Sequence, residues 1–204
     1  YEFENPNNTA ANYSITQSHF TYNFASIAFP LHAGQVNIVP AVAFQRQLDN
    51  FSDYSTRSET YESGGGVNTV TPGIGLKLHP MFYVGGAVNI WLGNFDNKTV
   101  EKATNETAKN EGSYKGLNFT AGLLVDFEGL KRPIPIKLGA TLRTPFELEV
   151  EGDYEWATAG TSNTKGSFKN TVEVPLMFGA GASGRIGENL TLAIPDTASS
   201  EIRL

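Results

Sequence analysis

A two-residue alternation runs almost unbroken through the chain, and it constrains the fold more than any other feature. From Val36 the even positions read Val36, Ile38, Pro40, Val42, Phe44, Arg46 and Leu48; the odd ones read Asn37, Val39, Ala41, Ala43, Gln45 and Gln47. Successive side chains of a strand point to opposite faces, so this is a strand with one apolar face and one small or polar face. The same split recurs over 69–78, 82–92, 117–127, 136–150 and 172–183, with weaker segments at 18–29 and from Leu190. That makes about eight strands, several longer than the usual 5–6 residues of a soluble sheet.

The connections carry a second signal. Those at 30–34, 79–81, 128–135 and 187–189 are short, whereas 49–66, 93–112 and 157–166 are longer, polar and rich in Asn, Thr, Ser and Gly. Short and long connections alternate, which in an up-and-down sheet collects the turns at one end and the loops at the other. Outer-membrane barrels have this asymmetry. The second face is Gly, Ala, Asn, Thr and Gln, and not the Lys and Glu of a soluble sheet. The aliphatic rows are therefore expected to face lipid and the small ones a lumen. Phe29, Phe82, Phe127, Phe146 and Phe178 are expected to form the interfacial girdles. The expected fold is all-β, an antiparallel up-and-down transmembrane β-barrel or a large part of one, in a single domain over 1–204.

Composition removes several classes. No run of 18 apolar residues offers a membrane helix. Fifteen Lys and Arg against 21 Asp and Glu, with no basic run, argue against nucleic acid as a partner. The absence of Cys excludes disulfide scaffolds and thiolate chemistry, and the mean hydropathy of −0.25 suits half-polar strands. The opening Tyr1-Glu2-Phe3-Glu4-Asn5 has no basic or apolar leader region, and the last residues stop as an alternating segment begins. The chain reads as cut from something longer.

Three stretches carry a family resemblance. The segment 67–91 (Val67-Asn68-Thr69-Val70-Thr71-Pro72-Gly73 through Ile90-Trp91), the stretch Gly139-Ala140-Thr141-Leu142-Arg143-Thr144-Pro145-Phe146, and the pair 172–183 with Asn189-Leu190-Thr191-Leu192-Ala193 resemble strand motifs of the FadL/TodX outer-membrane transport family. The resemblance implies passive transport of long-chain fatty acids or other hydrophobic compounds across a Gram-negative outer membrane, with no cofactor. Implied partners are the lipid bilayer, lipopolysaccharide and a hydrophobic small molecule or detergent. Family barrels have fourteen strands and an N-terminal hatch. Here about eight strands are read, and Asn5-Pro6-Asn7 is too little to claim a hatch.

Candidate residues follow from the alternation. Lys137 and Arg143 fall on the lumen face, where Arg offers a bidentate fork to a carboxylate; the alternative is a pair with Glu147 or Asp126. Tyr83, Trp91, Leu124 and Met177 also point inward and are expected to line an apolar patch, or to pack on a plug or loop. Glu147, Glu149, Glu151, Asp153 and Glu155 occupy alternate positions, hence one face. A continuous strand from Ile136 to Trp156 would be about 70 Å long, so its upper half must stand above the bilayer. That acidic row is either a cation-attracting mouth, including a Ca²⁺ bridge to lipopolysaccharide phosphates, or a solvated extension kept unpaired by charge.

His19, His32 and His79 are isolated, with no nucleophile or second ligand at a useful spacing. No glycine is followed by a helix, which excludes a phosphate loop. Seven Asn-x-Ser/Thr triplets fit chance in an Asn- and Thr-rich chain. No enzymatic activity and no metal site are expected. Two rival readings stay open: a non-transporting outer-membrane barrel for structure or adhesion, and a soluble β-sandwich binding module.

Overall fold

A computed structural model describes residues 2–3, 13–14, 19–33, 36–158, 163–186 and 190–199. The expected turn at 187–189, part of the connections at 30–34 and 157–166, the 5–7 segment and the tail from 200 lie outside the described residues. A two-residue strand β1 (Glu2–Phe3) pairs with β2 (Tyr13–Ser14). All later elements form one antiparallel sheet. These are β3 (Phe24–Ala28), β4 (Leu31–Ala33), β5 (Val36–Asp49), β6 (Ser52–Ser55), β7 (Glu59–His79), β8 (Phe82–Glu101), β9 (Glu106–Asp126), β10 (Ile136–Arg143), β11 (Phe146–Ala157), β12 (Thr164–Val174), β13 (Met177–Ile186) and β14 (Leu190–Ser199).

The order is sequential. β3 and β4 flank β5, β5 and β6 flank β7, and then come β8 and β9. β9 pairs with β10 at its lower half and β11 at its upper half. β13 and β12 lie beside these, and β14 ends the sheet. The all-β, antiparallel up-and-down expectation therefore holds, with eight strand positions across the sheet if each broken strand is taken as one. The ring is not closed: among the described residues β3/β4 and β14 are free edges.

The long polar connections turn out to be strand. β8 and β9 continue together through 93–101 and 106–112 to a tight turn at 102–105, where Asn105 takes a left-handed φ of 55°. Asn tolerates that conformation because its short polar side chain bonds locally.

Burial is inverted relative to a water-soluble protein. Val67 and Phe95 are buried apolar residues, whereas Thr69, Asn89, Asn118 and Asp126 are buried polar ones. Phe119, Leu117, Leu123, Ile74, Leu138, Leu142 and Phe178 are all more than 40% exposed. In the lower sheet the side chains of one face bond across strands, as Thr71, Asn89 and Thr120 do, while the aliphatic rows of the other face are exposed. We call the first the inner face. The aliphatic rows of the lower sheet lie on the outer face, and among the described residues no second layer packs against them as a soluble β-sandwich would require. On β8 the outward row from Phe82 to Leu92 spans eleven residues, the length at which a tilted strand crosses a bilayer.

Two glycines permit an irregularity that alternation could not show. Gly65 (φ 88°) and Gly66 (φ 148°) sit opposite a register shift between Arg46 and Leu48. A Cβ at Gly66 would meet the Arg46 guanidinium, which donates to Asp49 Oδ1 at 2.9 Å and to the Gly65 carbonyl.

Candidate functional site

The second irregularity decides where the charged residues go. The β9–β10 ladder pairs Arg143 with Thr120, whereas the β9–β11 ladder pairs Glu149 with Lys115. One extra residue has entered at Thr144–Pro145, where the Thr144 N–H donates to Phe119 O (2.9 Å) and its hydroxyl accepts from Phe119 N–H (3.0 Å). A bulge of this kind transfers every later side chain to the opposite face. Pro145 cannot donate to a ladder and is tolerated at such a point. The neighbouring strand breaks at the facing dipeptide, Pro175–Leu176, and so keeps register with β10 and β11.

The sequence-based assignment is corrected here. Glu147, Glu149, Glu151, Asp153 and Glu155 do share one face, but it is the outer face and not a lumen mouth. Phe146, Leu148, Val150, Gly152 and Tyr154 turn inward. Phe146 is therefore no girdle residue; its ring packs 4.9 Å from Trp91. Phe29, Phe82 and Phe178 do point out, each more than 40% exposed. The single 70 Å strand expected from Ile136 to Trp156 is two strands.

On the outer face the acidic row lies between lysines. Lys169 lies 3.5 Å from Glu149 and also holds Glu151; Lys165 reaches Glu155 at 3.0 Å. Asp153 faces Glu111, which Lys109 holds at 2.6 Å. A shallow depression over β9, β11 and β12 is lined by Lys109, Glu111, Asp153, Glu155 and Lys165. The hydrogen bond from Lys169 holds the Glu151 carboxyl below its ordinary range, and the same contact raises the Lys169 ammonium. Lys165, then Asn163, lowers Glu155. Glu147 faces Glu173. No group of three potential metal ligands converges among the described residues.

The inner-face candidates fall at different heights. Tyr83 and Leu124 are in register at the lower end, with the Lys77 ammonium 5.2 Å from the Tyr83 ring. Lys137 is engaged by Asp126 at 2.9 Å and Glu128 at 3.6 Å, while Arg185 holds Glu128 at 2.7 Å. Arg143 and Met177 face each other at mid-height. Arg143 does not meet Glu147, which lies beyond the bulge on the other face. Trp91 is higher still, about 27 Å along β8 from Tyr83, and donates through Nε1 to Asn118 Oδ1 at 2.9 Å. The six do not form one pocket. His19 Nε2 lies 3.2 Å from Asp49 Oδ2 and its ring is stacked on Phe51, and His79 accepts from Met81 N–H.

Sequence reasoning missed a buried polar belt at mid-height. Asn89 accepts from Thr71 Oγ1 (3.1 Å) and donates to Thr120 Oγ1 (2.8 Å). Asn118, 1% exposed, also donates to Thr144 O at 3.2 Å. The signal was present: Asn at inward positions of adjacent strands, a residue type that is costly to bury unless its partners are supplied.

The outer band names the molecule's surroundings, and a comparison names its family. A family model, BamG, matches residues 2–200. The chain belongs to the BamG family. That membership overturns the FadL/TodX resemblance and with it the expected transport of fatty acids and a porin-like role. No curated protein and no solved structure matches the chain. BamG membership places the protein at the outer membrane of Gram-negative bacteria, as the alternation predicted.

Proposed function

We propose that this chain works in the assembly of outer-membrane proteins as a member of the BAM complex, embedded in the bilayer and bound to a protein partner. The observation that carries the reading is the BamG match across residues 2–200. The geometry supports it in two ways. The outward aliphatic rows of β5, β7, β8, β9, β10 and β13 hold the sheet in lipid. Above them a laddered sheet with a charged outer face and an aromatic inner face (Phe95, Tyr114, Phe168) stands clear of the membrane. The role is non-catalytic: binding and positioning need no nucleophile, metal or cofactor.

Depletion of the protein tests the reading. The folded, heat-modifiable fraction of unrelated outer-membrane barrels should fall several-fold, and the tagged protein should co-purify with the complex's barrel subunit from detergent extracts. Unchanged barrel levels together with no co-purification would overturn it.

A further inference from the structure

We propose that the lower end of the sheet docks on the headgroups of anionic phospholipids through the exposed pair Lys131–Arg132. The inference rests on the bilayer-embedded reading above and names what that end meets. The chain as a whole carries a net charge of −6, yet the described residues of this end hold five Lys and Arg against two acids. Both acids are engaged within the end itself. Lys137 reaches Asp126 at 2.9 Å and Glu128 at 3.6 Å, and Arg185 reaches Glu128 at 2.7 Å. Lys77 lies over the Tyr83 ring. Lys131 and Arg132 are left over: both are exposed, and neither has an acidic partner among the described residues.

The loop that carries the pair is braced on both sides. Asp126 N–H donates to Met81 O at 2.8 Å, Ile134 N–H to Phe127 O at 3.2 Å and Arg185 N–H to Pro135 O at 2.9 Å. A Cβ on Gly129 would meet the Pro80 carbonyl, so the two lower turns are in contact. A braced loop loses less freedom on binding than a trailing one. Continuity with the apolar band decides for lipid over a soluble acidic partner. Ile134, Ile136 and Leu138 follow the pair, Leu78 and Phe82 flank the neighbouring turn, and all five are more than 40% exposed. Cations placed where an apolar face ends reach headgroups while their stems stay on the apolar side, and clustered Lys and Arg at a membrane boundary draw anionic lipid. Short turns of outer-membrane sheets lie on the periplasmic side, which makes the lipid a phospholipid.

The test is lipid retention by the full chain, folded into vesicles of phosphatidylcholine alone or of equimolar phosphatidylcholine and phosphatidylglycerol. After mild detergent extraction from the mixed vesicles, native mass spectrometry should find phosphatidylglycerol retained several-fold over phosphatidylcholine. The excess should vanish in the Lys131→Gln/Arg132→Gln double variant, shrink for the unaltered chain at high salt, and persist in Lys98→Gln at the far end of the sheet. Heat-modifiable migration shows that each variant is folded, and the salt arm needs no variant. Equal retention of the two lipids by the folded chain, or an excess indifferent to salt and to the double substitution, overturns the proposal and leaves the embedded reading standing. Loss of a co-purifying acidic protein in the double variant, with no lipid preference, overturns it too and gives the surface to that protein. A chain that folds in neither vesicle overturns the embedded reading and the proposal together.

Discussion

Trp91 packs on Phe146 across β9, the rings tilted by 33° with centroids 4.9 Å apart, although Phe146 continues a run of even-numbered aliphatic positions whose lower members are exposed on the outer face. The contact exists because the bulge at Thr144–Pro145 has moved Phe146 inward. Deletion of Pro145 should restore unbroken alternation and drive Glu147, Glu149 and Glu151 against the Phe95–Tyr114 cluster. Buried unpaired carboxylates of this kind are not tolerated. The expected outcome is loss of the heat-modifiable form on gels, while Pro145→Ala, which keeps the residue count, should retain it.

Asn118 ties the indole to the bulge. Asn118→Leu leaves the Trp91 N–H without its acceptor and the Thr144 carbonyl without one donor. A cost of about 1–3 kcal/mol is expected, read as a lower denaturant midpoint in detergent.

Glycines of the charged extension and of the lower sheet differ sharply in the room they have. A Cβ on Gly112 would meet Glu151 O and the Phe95 ring, whereas at Gly75 the nearest atom is Val39 O at 3.9 Å. Gly112→Ala should therefore destabilise the β9–β11 seam by about 1–3 kcal/mol, with Gly75→Ala close to neutral. Thermal unfolding followed by circular dichroism distinguishes them.

The outer rows are expected to reject charge in a depth-dependent way. Leu123→Arg, on the outer face of β9, should impair insertion by about 2–4 kcal/mol, while Thr141→Arg on the inner face should be tolerated. Refolding yield into vesicles is the measurement.

pH should loosen the extension at both extremes. The Glu151 carboxyl is lowered from an ordinary value of 4.5, so its contribution is present above that value and is lost as pH falls through the depressed one. Lys169 is raised from 10.5, so its contribution is complete below 10.5 and is lost as pH climbs through the higher value. Protease sensitivity of β11–β12 should rise below about pH 4 and in alkali. The effect should be small, because these groups are exposed, and it should shrink with salt.

Much of the fold was legible in the residues. Val70 through Leu78 and Phe82 through Leu92 alternate because one side is exposed and aliphatic while the other carries the small and polar residues that bond across strands, and that requirement is written at every position. The inversion at Thr144 was not legible, since aliphatic residues continue at even positions from Ile136 to Val150. The bulge changes the face without changing the pattern. Pro145 and Pro175, which face each other in register, were the available signal. The family was misjudged for a related reason. Aliphatic–small alternation with short turns is demanded of any lipid-facing sheet, so such motifs report the solvent more than the relatives. The carboxylate row was visible as sharing one face, but which face depended on a single inserted residue.

The two register slips, at Thr144 and near Gln47, also carry a geometry. The row through Arg143, Thr120, Ala87, Gly73 and Ala41 meets one slip a residue beyond Arg143 and the other six residues beyond Ala41. That is about 17 Å of climb over about 19 Å of breadth, a slope near 40°, within the 35–45° or so by which barrel strands lean in outer membranes. The slips thus trace a waterline across slanted strands. Everything above that line rises about 30 Å, since Phe146–Ala157 runs 12 residues along a strand leaning near 40°.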